Sequence, residues 1–219
     1  KLTNEGFDAN FNLRLISTKN WTWSLGASIG HYKNQIKELP NGSQSFTTDL
    51  YGGTIISRVG QAAGMFYGYK TDGVFATTAE AAAANLYQVS STGLRQYFGA
   101  GDMKFVDTTK DGIINDADRQ VIGDPNPDAY GNIFTKLTFK HFTLDAVFNY
   151  SLGNDIYNYQ RSIVEGGKNF YNQSTAMLHR WTYEGQKTDI PHAPYLDEMG
   201  NSRFSDRWIE DGSYLRLKN

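Results

Sequence analysis

The residues of this chain with the clearest capacity for chemistry lie at positions 107–118, where side chains bearing oxygen recur at close spacing. Counted from Asp107 as the first position, Gly112 is the sixth, where a tightly curled loop needs positive φ. Ca²⁺ takes about six to eight oxygen ligands from loops of this kind. The spacing predicts a structural calcium site whose ligands are Asp107, Thr109, Asp111, the carbonyl of Ile113, Asn115 and Asp118.

Two features separate this loop from the usual calcium-binding pattern. Thr109 occupies a position where Asp or Asn is common, and Asp118 closes the loop where a longer, bidentate Glu is common. We therefore expect modest affinity, with calcium preferred over magnesium because a flexible, mixed set of oxygens suits the larger ion. The alternative interpretation is that these residues serve turns and a helix cap, with Asn115 as the N-cap and Asp118 three residues later.

No set of residues in the sequence predicts catalysis. Residues 26–30 match the G-x-S-x-G pattern of hydrolases, but they lie inside an alternating strand and not at a strand-to-helix turn. Small residues that face a crowded sheet surface explain the pattern better. The chain has no cysteine, and its histidines lack the spacing of zinc ligands. These isolated histidines are His31, His141, His179 and His192. We predict that the chain is not an enzyme.

Aromatic side chains occur in the second of two long connections, at Tyr157, Tyr159, Phe170 and Tyr171. Such rings stack on sugars or pack against protein, and packing is the simpler expectation. The residues that contact a substrate are not identified by the sequence.

The segments around the calcium-loop pattern alternate between apolar and polar residues, which indicates β-strands. We expect one hairpin at about residues 5–32, a tight second hairpin at about residues 132–152, and a further strand over residues 213–219. Strand periodicity predicts one apolar face, listed as Phe7, Phe11, Leu13, Trp21, Trp23, Leu25, Phe142, Leu144 and Phe148. The predicted polar face contains Asn12, Arg14, Ser24, Ser28, Asp145 and Asn149. Leu15 also falls on the apolar side by alternation.

Two long connections separate these strands, at residues 33–131 and 153–212, and their periodicity is weak enough to predict loops. Within the first, Thr77 and Glu80 fit a capping box that opens a short helix reaching about Gln88. Short turns at one end of a sheet and long connections at the other are typical of outer-membrane barrels.

Composition narrows the class of protein further. The chain has 219 residues, a net charge of −2, 14% aromatic residues and 22 glycines, which suits an all-β protein rich in turns. The sequence contains no run of basic residues that would indicate nucleic-acid binding. No composition shift or linker divides the chain, so we expect residues 1–219 to belong to one domain. The sequence contains no apolar run that would predict a transmembrane helix.

The calcium-loop pattern also carries a family resemblance. Residues 107–131 resemble the "DxNGDGxIDxxDRxxIGxPxPxxxxG" segment of SusC/RagA-type TonB-dependent outer-membrane transporters. Residues 59–75, VGQAAGMFYGYKTDGVF, resemble the "GxPxGxFYGYxxDGxF" segment of that family, with Ala62 and Ala63 where a proline is common. Further similar segments lie at residues 153–158, 180–191 and 205–219, so the resemblance covers essentially the whole chain.

The resemblance implies a fold class, a location and partners. It implies an antiparallel transmembrane β-barrel segment whose long loops carry short helices, taken from the interior of the C-terminal half of the barrel. It also implies TonB-dependent import of oligosaccharides or peptides across the outer membrane of a Bacteroidetes-type Gram-negative cell, together with a SusD-type surface lipoprotein. The alternative from the residues alone is a soluble, calcium-stabilised β-sandwich that binds glycans.

Overall fold

Alternating segments of the sequence form the longest strands of the structure, a computed structural model that describes residues 1–219. The chain contains fifteen strands and two α-helices. The strands are β1 (Leu2–Ser17), β2 (Trp21–Ile36), β3 (Ser45–Leu50), β4 (Gly53–Arg58), β5 (Met65–Gly68), β6 (Thr71–Val74), β7 (Tyr87–Val89), β8 (Arg95–Tyr97), β9 (Met103–Phe105), β10 (Gln120–Gly123), β11 (Ala129–Phe139), β12 (Phe142–Leu152), β13 (Asp155–Tyr157), β14 (Ile209–Asp211) and β15 (Tyr214–Leu217). The helices are α1 (Thr78–Ala84) and α2 (Tyr159–Val164). None of the helices has the length and hydropathy of a transmembrane span.

The main sheet has five antiparallel strands in the spatial order β1, β2, β11, β12 and β15. Its register aligns the apolar positions of neighbouring strands, with Leu25 opposite both Leu13 and Thr135. Directly opposite residues share a face of a sheet. All nine residues predicted for the apolar face consequently lie on one face, and the six polar ones lie on the other.

No second layer covers the apolar face within this chain. Phe11, Leu13 and Leu144 are 53%, 51% and 63% exposed, which is far from the burial of a sandwich core. The other face carries ionic groups, including a 3.2 Å ion pair between Lys136 and Asp145. This arrangement contradicts the β-sandwich alternative, because a sandwich buries the apolar face between two sheets.

One detail of the predicted alternation, the place of Leu15, is wrong. The register between β1 and β2 shifts between Arg14 and Ile16, so that Ile16 and not Leu15 lies opposite Trp23. A β-bulge of this kind places one extra residue in a strand and leaves it unpaired. Alternation in the sequence continues through Leu15 and gives no sign of the bulge.

The first long connection is not a loop. It contains a four-stranded sheet in the order β10, β5, β4 and β3, and two further two-stranded pairs, β6 with β9 and β7 with β8. It also contains a buried cluster of apolar side chains. The members of this cluster are Tyr69, Val74, Phe75, Ala81, Phe98, Met103, Phe105 and Ile114. Six of these eight strands have only three or four residues, too few to show periodicity, which is why the sequence predicted a loop here.

Helix α1 begins as expected and ends early. The Oγ1 atom of Thr77 accepts a hydrogen bond from the Glu80 N–H, while the Glu80 carboxylate accepts one from Ala76 and not from Thr77. The helix ends at Ala84 because Asn85 adopts a left-handed conformation with φ of 52°. The predicted extension to Gln88 is wrong, since Tyr87 begins strand β7.

The second long connection folds against the first. It begins with β13, which follows β12 after two residues, and it ends with β14, which pairs with β13 and leads into β15. Trp208, which ends a 3₁₀ turn immediately before β14, is 1% exposed and donates from its indole nitrogen to the Arg203 carbonyl at 3.1 Å. The two connections therefore form a packed body at one end of the main sheet, while short turns join the strands at the other end.

The G-x-S-x-G segment lies within β2, where small residues face a crowded surface. A Cβ atom at Gly26 would overlap the Phe134 ring and lie 2.9 Å from the Phe11 carbonyl oxygen. The Oγ atom of Ser28 accepts a hydrogen bond from the Asn132 N–H, so it serves the sheet. The structure thus accounts for the pattern without catalysis.

We predict that Gly26→Val destabilises the main sheet, because the added side chain displaces either the Phe134 ring or the neighbouring strand. Overpacking of this kind costs about 1–3 kcal/mol. The melting temperature of the full-length protein in detergent, followed by circular dichroism, measures the effect. Thr22→Val is the matched control, since Thr22 lies in the same strand opposite Ser17 and Thr138. Equal melting temperatures for the two variants would contradict the prediction.

Candidate functional site

Asp118 organises the loop over residues 107–118. Its side chain is fully buried, at 0% exposure. Its Oδ1 atom accepts from the Thr108 and Thr109 N–H groups at 3.0 and 3.1 Å, and Thr109 Oγ1 lies 3.1 Å away. Its Oδ2 atom accepts from the Asn115 N–H at 3.0 Å. One carboxylate therefore connects the start and the end of the loop through hydrogen bonds to both of its oxygens.

Asn115 and Asp118 form a capping box around a short 3₁₀ turn at residues 116–118. The Asn115 side chain accepts from the Ala117 N–H at 2.8 Å, while Asp118 accepts from the Asn115 N–H. This reciprocal arrangement is the cap described by the alternative interpretation of the loop.

Asp107 makes a similar set of bonds at the beginning of the loop. Its carboxylate accepts from the N–H groups of Lys110 at 2.6 Å and Gly112 at 2.7 Å. Burial raises the pKa of the Asp107 carboxyl, but these backbone hydrogen bonds outweigh burial and lower that pKa. Gly112 has a φ of 80°, so the sharp turn expected at the sixth position is present.

The six predicted calcium ligands are close in sequence, yet most of their side-chain oxygens already accept backbone hydrogen bonds. Asp111 Oδ1, for example, accepts from the Ile113 N–H at 2.8 Å. No group of three or more His, Cys, Asp or Glu side chains in the structure has an arrangement that could hold a metal ion. The hydrogen bonds of this loop are those of a helix cap and turns. Calcium binding remains a prediction.

The loop is attached to the rest of the molecule on both sides. Its Ile114 side chain is 3% exposed and belongs to the buried cluster, and the Ile114 N–H donates to the Tyr87 carbonyl at 2.8 Å. Beyond the loop, Asp124 and Asp155 bond reciprocally, with the Asp124 N–H donating to the Asp155 carboxylate and the Asp155 N–H donating to the Asp124 carbonyl. The loop consequently links the buried cluster to the start of the second long connection.

A second polar network, which the sequence did not reveal, joins the two long connections. Asp102 is 4% exposed, and its carboxylate accepts from His192 Nε2 at 2.7 Å and Asn201 Nδ2 at 2.9 Å. Burial raises the pKa of Asp102, but the hydrogen bonds from His192, Gly99 and Asn201 together lower it. His192, which the sequence presents as isolated, therefore has a carboxylate partner. Its partner lies 90 positions away, and no local pattern in the sequence connects the two.

Arg203 adds a third connection between these parts. Its guanidinium lies 5.0 Å from the centre of the Tyr69 ring and 4.8 Å from that of Phe105, and both rings belong to the buried cluster. It also donates to the side-chain oxygen of Gln88 at 2.6 Å. A partly desolvated cation over aromatic faces is attracted by their electron density. The second long connection is thus fixed to the core of the first.

Comparison with known proteins places this architecture in a family. The chain is 33% identical over 224 residues to TonB-dependent receptor P3 of Formosa agariphila, and the match covers 100% of this chain and 21% of that protein. It is 26% identical over 231 residues to TonB-dependent receptor SusC of Bacteroides thetaiotaomicron, covering 100% of the chain and 20% of SusC. No protein-family model matches the chain.

Solved structures share the fold. The structure of the RagAB peptide transporter superposes with a TM-score of 0.75 at 20% identity, over 99% of this chain and 22% of that one. A RagAB peptide importer in the open-open state superposes with a TM-score of 0.67. The main sheet is therefore a segment of an antiparallel barrel wall, and the all-β fold class expected from the sequence is confirmed.

Fold and sequence together define the chain as part of a TonB-dependent receptor. Within that class it belongs to the SusC/RagA type. It spans about a fifth of the length of the curated relatives that it matches. These relatives are named as receptors and transporters and not as enzymes.

We predict that Asp118→Asn loosens the loop, because an amide NH₂ group would then face backbone N–H donors in a buried position. An unsatisfied buried hydrogen-bonding group costs about 1–3 kcal/mol. Lys110 is exposed in this loop, so the rate of tryptic cleavage after Lys110 in the folded full-length protein reports the change. Asp111→Asn is the control, because asparagine retains the oxygen that accepts from Ile113. Equal cleavage rates in the two variants would contradict the central role of Asp118.

Calcium binding is tested separately by calorimetric titration of Ca²⁺ into the intact protein after treatment with a chelator. We expect measurable heat in the native protein and a reduced affinity in Asp111→Ala, since Asp111 is one of three acidic ligands that the loop offers. Equal heats in both proteins, or no heat in either, would leave the capping box and turns as the complete account of this loop.

Proposed function

We propose that the full-length protein that contains this chain is a TonB-dependent outer-membrane importer of oligosaccharides or peptides. The observation that carries the proposal is that the main sheet has one apolar face and one polar face. Its apolar face is uncovered within the chain, while its polar face carries charged groups such as the ion pair between Lys136 and Asp145. Barrels that span the outer membrane alternate in this way, with apolar residues toward lipid and polar residues toward the lumen.

The proposed orientation follows from the two ends of the sheet. At one end, β1 joins β2 and β11 joins β12 through short turns. At the other end, the two long connections form the packed body described above. Outer-membrane barrels have short periplasmic turns and longer extracellular segments. We therefore assign the packed body to the cell exterior, where a nutrient would first meet the protein.

The edges of the sheet give the proposal a further consequence. Strand β1 pairs with β2 alone, and β15 pairs with β12 alone. An unpaired strand edge is costly in lipid, because its N–H and C=O groups have no water to bond. We propose that other strands of the full-length protein pair with both edges, in keeping with the chain's coverage of about a fifth of its relatives.

The proposed partners come from the relatives. A SusD-type surface lipoprotein would cover the outer mouth of the barrel, and TonB would supply energy from the periplasmic side. RagAB is a peptide transporter, which supports peptides as one class of nutrient, and the family resemblance of the sequence supports oligosaccharides as the other.

Uptake by cells tests the function. We expect that deleting the gene abolishes growth on one class of oligosaccharide or peptide, and that the full-length gene restores it only in cells with TonB and the SusD-type lipoprotein. Fractionation should recover the protein in the outer membrane. Restoration without TonB, or recovery of the folded protein in the soluble fraction, would refute the proposal.

A further inference from the structure

Four aromatic side chains form a ridge on the packed body, which we call the aromatic ridge: Tyr51, Tyr157, Tyr159 and Phe204. The ring centres of Tyr51 and Tyr159 are 5.5 Å apart, and those of Tyr157 and Phe204 are 5.0 Å apart. Contacts at these distances are favourable between aromatic rings. The ridge is therefore a pre-formed surface that joins the two long connections.

The sequence positions of these rings explain why they meet. Tyr51 lies in the tight turn between β3 and β4, where its φ of 52° turns the chain back. Tyr157 ends β13, and Tyr159 begins α2. The Tyr157 hydroxyl lies 3.2 Å from the Tyr51 carbonyl oxygen and 3.0 Å from Ser162 Oγ, which holds the turn against the second connection.

The aromatic ridge lines two clefts. The first, of about 370 Å³, is mainly apolar and includes Leu50, Ile55 and Phe66. The second, of about 380 Å³, combines the ridge with polar side chains at Ser162, Lys168, Asn169 and Ser202. Both volumes fall in the range of small-molecule sites, which is about 300–1,000 Å³.

The second cleft has a distinctive charge. Lys168 is the single charged residue among those that line it, and no carboxylate lines it. Tyr51 and Tyr171, which also line it, are 71% and 67% exposed, so much of each side chain is accessible to a ligand. The cleft thus offers flat apolar faces, hydroxyl and amide groups, and one cation.

We propose that the second cleft binds an acidic sugar residue of an oligosaccharide, one whose ring carries a carboxylate. A sugar ring has an apolar face of C–H groups that packs on aromatic rings, while its hydroxyls would bond to side chains such as Asn169 and Ser202. The carboxylate of the sugar would pair with Lys168 through a charge-assisted hydrogen bond. This inference rests on the proposed importer function and narrows its nutrient to acidic glycans.

The place of the cleft in the fold supports this role. Strand β13 follows β12 after Gly153 and Asn154, so Tyr157 stands just beyond the end of the main sheet from which both long connections leave. Under the proposed orientation this is the outer mouth of the barrel. A nutrient would contact the aromatic ridge before it entered the lumen.

A direct test measures binding of defined probes to the full-length protein in detergent, by calorimetry. The acidic probes are oligomers of galacturonate, glucuronate and mannuronate. The neutral probes are the methyl esters of the same oligomers, and a set of short peptides is a third class. We expect at least one acidic oligomer to bind, its methyl ester to bind about tenfold more weakly, and the peptides not to compete.

Variants assign that binding to the cleft. We expect Lys168→Gln to weaken acidic binding about tenfold and to leave binding of the methyl ester unchanged, while Lys168→Arg retains the acidic preference. Tyr51→Asn should weaken both, because asparagine accepts the left-handed backbone at this turn but removes the ring. Arg95→Gln is the matched control, since Arg95 is an exposed cation in strand β8, outside the cleft.

The outcomes separate this inference from the proposed function. Binding of no acidic oligomer, equal affinity in Lys168→Gln, or competition by peptides would overturn the acidic-glycan assignment. Cells would still take up their nutrient in a TonB-dependent way if the importer function is correct. The absence of any TonB-dependent uptake by cells that carry the native gene would instead refute the importer function itself.

Discussion

The alternation of side chains along hydrogen-bonded strands is the constraint on which the rest of this structure depends. Because the side-chain period of a strand is two, one register decides every residue on both faces of the main sheet. Leu25 opposite Leu13 and Thr135 therefore determines where Ser24 and Lys136 lie as well. The bulge next to Arg14 is tolerated because it lies near the end of β1, where few residues follow it.

In the packed body formed by the two long connections, buried polar groups and not strand register determine how the chain is arranged. Asp118 and Asp102 are both almost fully buried. Asp118 accepts hydrogen bonds from both ends of its own loop, while Asp102 accepts them from His192 and Asn201 in the second long connection. A buried carboxylate that lost these donors would be strongly destabilising, so each one specifies its neighbours closely. Irregular segments without long strands can in this way adopt a single arrangement.

The sequence predicted the parts of the fold that depend on local patterns. The long strands and the tight turn between β11 and β12 follow from residues within a few positions of one another, as does the cap at Asn115 that the alternative interpretation of the loop described. The packed body could not be predicted in the same way, because its contacts join residues far apart, such as Asp102 with His192. The calcium-loop pattern shows a different limit. Oxygen spacing alone does not reveal whether backbone N–H groups or a cation will satisfy those oxygens.

Covalent continuity between sheet and packed body connects these two levels of organisation. Strand β12 leads into β13, and β14 leads into β15, through two residues in each case. The Gly212 N–H donates to the Asn154 carbonyl at 2.8 Å, and the Gly153 N–H donates to Ser213 Oγ at 2.9 Å, so the junction is itself bonded. The aromatic ridge, whose Tyr157 ends β13, is therefore attached to the main sheet through a hydrogen-bonded junction. A site held in this way needs little reordering when a ligand binds, which preserves affinity that a mobile loop would lose.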